Sequence, residues 1–167
     1  MRGPRGARSV FLIAPLALLV AACGGSANQA ADAAPGGDVF NACAEPTGAD
    51  SYSAGMSKVS KNGTFTVTLM SSDPGPPIRG TNNWTVVITD ASGAPVDGAT
   101  IAVKPFMPAH NHGTTVKAVV TPLANGNYGI APLYFFMAGV WQTTLDITPT
   151  GDGATADSVV FSFCVDG

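Results

Sequence analysis

Residues 64–70 alternate without a break. Phe65, Val67 and Leu69 fall on one face and threonines on the other, the period-two pattern of a half-buried strand. The pattern recurs over residues 83–90, with Trp84, Val86 and Ile88 inward, and over 157–165, with Val159, Phe161, Phe163 and Val165 on one side. Shorter β-branched or apolar runs at 99–103, 115–121, 128–135 and 140–148 predict four further strands. Pro74, Pro76 and Pro77 make 71–77 a predicted loop, because proline removes a ladder donor. Residues 90–93 and 95–98 predict turns, and Asn125-Gly126 predicts a hairpin. Asp90, Asp97 and Asp152 sit in turn contexts and are read as turn formers. Beyond the first 22 residues no segment carries a helical period. About seven short strands at regular spacing predict an all-β chain, an immunoglobulin-like antiparallel β-sandwich, with a small closed barrel as the alternative.

The N-terminus follows a different pattern. Arg2, Arg5 and Arg8 precede an apolar run at 10–20 that is too short to span a bilayer, so residues 1–22 are read as a signal peptide. Val20-Ala21-Ala22-Cys23 resembles a bacterial lipobox, which implies cleavage before Cys23 and acylation there. Several chains at about 0.8 kcal/mol per buried methylene make a stable membrane anchor. A cleaved, soluble secreted protein is the alternative. Gly24, in place of an aspartate after the cysteine, resembles the sorting pattern for the outer membrane and a periplasm-facing domain. Residues 24–38 lack any large apolar side chain and read as a flexible spacer. The expected organisation is a signal peptide at 1–22, a lipidated tether at 23–42 and one folded domain at 43–167.

Charge and cysteines narrow the function. The formal charge of −3 becomes about −6 once the three signal arginines are removed, which disfavours nucleic acid as a partner. With Cys23 assigned to lipid, Cys43 and Cys164 remain, and outside the cytoplasm such a pair oxidises. That disulfide would close a loop of about 120 residues and contribute roughly 4–5 kcal/mol as an upper figure. A thiolate metal site is the rival, but two cysteines so far apart lack ligand spacing. Glu45 is the one glutamate, and with neither a serine-nucleophile motif nor an acid–base pair the chain is read as a non-enzyme.

The chemistry concentrates in Met107-Pro108-Ala109-His110-Asn111-His112-Gly113, which holds both histidines. In an extended segment His110 and His112 would project to one side with Asn111 turned away. Met107 could fold back as a soft third ligand, and Met137, at a corner between two predicted strands, is the candidate fourth. Imidazole with thioether favours copper, especially Cu(I), and the lack of a nearby carboxylate argues against hydrolytic zinc. The plain alternative is a solvated histidine pair with Met107 plugging the loop and Met137 in the core. In a second alternative the loop and the apolar run 133–136 dock another envelope protein, without metal.

Gly80-Thr81-Asn82-Asn83-Trp84, Gly93-Ala94-Pro95-Val96 with Gly98-Ala99, Met107-Pro108 with His110 and His112, then Tyr128, Met137, Gly139 and Trp141 follow in order. Together they resemble a YtkA-like (FixH-related) domain over roughly residues 55–165. The resemblance implies an immunoglobulin-like sandwich outside the cytoplasm, associated with copper or heavy-metal handling. It implies Met107, His110 and His112 as ligands, with Met137 close by. The family often has Gly or Asp where this chain has Ala109 and Asn111, so no acidic ligand arises there.

Overall fold

A computed structural model describes residues 43–44, 47–151 and 153–167. The expectations for the signal peptide, Cys23, the tether and Asp152 lie outside the described residues.

Nine strands follow in order among the described residues: β1 Met56–Val59, β2 Phe65–Asp73, β3 Gly80–Asp90, β4 Thr100–Met107, β5 His112–Gly113, β6 Val119–Pro122, β7 Asn127–Phe135, β8 Gly139–Thr148 and β9 Asp157–Val165. They form two antiparallel sheets, ordered β1-β2-β3-β7-β6 and β5-β4-β8-β9. The architecture is the expected β-sandwich. The alternating faces read from the sequence meet in its core. Phe65, Val67, Leu69, Trp84, Val86 and Ile88 come from the first sheet, and Trp141, Leu145, Ile147, Phe161 and Phe163 from the second, all buried. Trp84 bridges the layers, packing edge-on against Phe161 and Phe163 with ring centroids 6.0 and 5.6 Å away. The Cys43–Cys164 disulfide is formed, with the Cα atoms 5.7 Å apart.

Strand boundaries differ from the pattern in several places, β3 starting early at Gly80 among them, and four have a local cause. A register shift between Leu69 and Ser71 lets β2 continue to Asp73, into the expected loop, where the Ser72 amide donates to the Tyr52 hydroxyl. β4 runs through Pro105 to Met107, because up to Pro105 it is an edge strand and β5 covers only Phe106 and Met107. β6 begins at Val119 and not Thr115. The Val116 amide donates to the Thr114 hydroxyl, a local turn that competes with strand pairing. β1, too short to stand out, alternates Met56 and Lys58 with exposed neighbours. The Asn125-Gly126 hairpin forms with both residues at positive φ, 58° and 69°.

Polar side chains tie the loops. The Tyr128 hydroxyl donates to the Val96 carbonyl (2.6 Å) and accepts from the Ala99 amide (2.9 Å), fixing the crossing from β3 to β4. Asn82, fully buried, holds both the amide and the carbonyl of Ile78. Asp90 accepts from the hydroxyl and amide of Ser92 and from the Ala94 amide, and these bonds, the Ser92 hydroxyl foremost, lower its pKa. Asp97, at the second turn, accepts from the Gly126 amide.

Candidate metal centre

The candidate ligands Met107, His110 and His112 lie at the corner between β4 and β8. β4 ends on Met107, which alternation turns inward, and its side chain is buried. The chain then reverses through a single 3-10 turn, Pro108–His110, with proline in its first turn, where the missing N–H costs nothing. Asn111 closes the turn in the left-handed region (φ 52°, ψ 43°), which asparagine tolerates better than most residues. His112 then begins β5 directly opposite Met107, so the two side chains lie on the same face. Gly113 follows where a Cβ would lie 2.8 Å from the Pro105 carbonyl oxygen. The histidines therefore approach each other across a tight turn and not along the extended segment expected from their spacing.

Their ring centroids are 5.7 Å apart, tilted by 46°. With metal–nitrogen bonds of about 2 Å, two imidazoles on one ion have centroids no more than about 6 Å apart, and the separation here lies within that limit. His110 is exposed and His112 half-buried. The Nδ1 of His112 is buried and has no hydrogen-bond partner. A buried imidazole nitrogen without a partner is costly unless something ligates it, which is the condition a metal ligand meets. Met107 supplies a thioether from the same face. Met137 lies between β7 and β8, packed against the core, and its carbonyl accepts from the Trp141 indole N–H at 2.9 Å. Trp141 in turn stands 5.9 Å from the His112 ring. Met137 is thus tied to the corner through its backbone.

Two contacts at the corner lie outside what the sequence pattern conveys. Gly139, at the start of β8 with φ +127°, leaves space that the Met107 methyl occupies. Phe136, 43% exposed, lays its ring on His112 with centroids 5.0 Å apart and planes 25° from parallel. The Phe135-Phe136 doublet held the available signal, since a strand turns only one of two neighbours inward. Leu133 and Phe135 are fully buried, so the 133–136 run is half core, and of its aromatics Phe136 faces solvent. A groove of about 360 Å³ runs beside the corner, lined by His112, Thr114, Thr115, Tyr134 and Phe136 among others. Among the described residues no three His, Cys, Asp or Glu side chains gather as a metal cluster. No helix among the described residues is long and apolar enough to cross a membrane.

A family model described as YtkA-like matches residues 59–146. No curated protein is significantly similar to the chain. Two solved structures of FetP from uropathogenic Escherichia coli strain F11 overlap it. A copper-bound variant is 13% identical, with 70% of this chain and 92% of that chain covered at a TM-score of 0.43. The protein as isolated after expression in the periplasm is also 13% identical, covering 70% and 96% at 0.42.

Proposed function

The chain belongs to the YtkA-like family, and on that premise we propose that it is a copper-binding protein of the cell envelope, holding the metal at the corner formed by His110, His112 and Met107. The observation that carries this reading is the buried, unpartnered Nδ1 of His112, beside a second imidazole and on the same face as a buried thioether. Two imidazoles and a thioether suit copper, and Cu(I) above harder ions. Met137 completes the proposed ligand set. Copper here is cargo, bound for handling or delivery, and the domain acts by binding and not by catalysis. The lipobox-like Val20-Ala21-Ala22-Cys23 supports a membrane anchor through Cys23, Gly24 after it supports the outer membrane, and the Cys43–Cys164 disulfide suits an oxidising, periplasm-facing location.

The test is a titration of Cu(I), without oxygen, against a chromogenic chelator, and of Cu(II) separately. Wild type is compared with His110→Ala/His112→Ala. One-to-one binding that disappears in the double variant is the expected result. Stoichiometric binding that survives both substitutions would move the site elsewhere.

A further inference from the structure

Phe136 is an exposed aromatic held flat against a histidine. Its ring stacks on His112 at 5.0 Å, and Trp141 braces it edge-on at 5.4 Å. Trp141 is fully buried and its indole N–H donates to the Met137 carbonyl, so the brace is held at both its packing and its polar end. One face of the His112 ring is therefore closed to water by an apolar side chain that the core does not need, since Phe135 already fills the inward position.

Resting on the copper reading above, we infer that Phe136 makes this site selective for Cu(I) over Cu(II). Cu(II) favours a tetragonal set of nitrogen and oxygen ligands. The corner offers two imidazoles and thioether sulfur, so the remaining positions around Cu(II) must be filled by water. Phe136 restricts that water and lowers the local dielectric. The cost of removing an ion from water rises with the square of its charge, so it is about four times greater for the dication. Attraction of the cation to the aromatic face also grows with charge, but at an exposed ring it amounts to only about 0.5–1 kcal/mol, too little to reverse the order. The apolar shell of a metal site controls solvent access in this way.

The test uses the full chain purified in detergent, with Cu(I) and Cu(II) affinities measured for wild type, Phe136→Ala and Phe136→Leu. Near-UV circular dichroism checks that each variant keeps its packing. In Phe136→Ala the preference for Cu(I) should fall by about tenfold or more, while Phe136→Leu, which keeps apolar bulk over the ring, should hold most of it. An unchanged preference in a folded Phe136→Ala overturns the inference and leaves the copper site standing. An equal fall in both variants overturns it as well, because bulk would then not be the cause. Absence of copper binding by wild type in either oxidation state overturns the site and the inference together.

Discussion

A Cβ on residue 139 would overlap the Met107 methyl, and the backbone there holds a φ of +127° that side chains other than glycine's rarely adopt. Gly139→Ala should therefore cost about 1–3 kcal/mol in urea unfolding, with Met107 displaced and copper affinity reduced alongside. The two histidines should respond unequally. His112, half-buried under Phe136 with its Nδ1 unpartnered, should lose more affinity on substitution by alanine than the exposed His110, as competition titrations of the single variants would show. The candidate ligands Met107, His110 and His112 were legible as candidates because both histidines of the chain stand beside a methionine in one loop. The covering Phe136 and the notch at Gly139 were not. Each acts through a contact with a residue far away in sequence, and no periodicity encodes such a contact.

Strands were legible where one face is buried and the other wet. β2, β3 and β9 have that character apart from the buried Ser72 and Ser162, and their apolar positions alternate as read. The pattern ends β4 at Val103 because Lys104 and Pro105 look like an ending, whereas an edge position tolerates both. Asp157 was legible only as the start of a strand. In the fold it is buried at the head of β9 and joins the two sheets. Its carboxylate accepts from the Ser60 hydroxyl (2.6 Å), the Asn62 amide (2.9 Å) and the Thr64 amide (3.3 Å) in the loop between β1 and β2. Burial works to raise its pKa. Bonds from the Ser60 hydroxyl and the Ser158, Asn62 and Thr64 amides outweigh that and hold it well below the usual carboxylate range. The folded protein thus binds this proton more weakly than the unfolded chain does. The stabilisation is complete above the ordinary value of 3.8 and is lost as pH falls below it. Asp157→Asn turns an amide donor toward groups that are themselves donors. It should lower the Tm at pH 7 and flatten the decline of Tm between about pH 4 and 2 relative to wild type. Parallel declines in the two proteins would mean that other carboxylates govern acid unfolding.

The disulfide and the candidate site share one end of the sandwich. In the register of β8 with β9, Cys164 lies opposite Val140, between the pairs Gly139–Val165 and Trp141–Phe163. That proximity suggests that reduction would disturb copper binding, but the pairing argues otherwise. The β8–β9 ladder continues from Gly139–Val165 to Ile147–Asp157, so the corner stays registered by sheet hydrogen bonds whether or not the bridge is present. The bridge acts mainly on the unfolded chain, where it ties together residues separated by 121 positions. Its removal should cost up to roughly 4–5 kcal/mol, a large share of the 5–15 kcal/mol typical of a folded domain. With a urea slope of about 2 kcal/mol per molar, the unfolding midpoint should fall by about 1–2 M in Cys43→Ser/Cys164→Ser. Adding reductant to wild type should reproduce that fall, and adding it to the double variant should change nothing further. Below the new midpoint, the affinity of the folded double variant for Cu(I) should match that of wild type. A loss of affinity in step with the loss of stability would mean instead that the bridge, and not the sheet, holds Gly139 and Trp141 against the histidine corner.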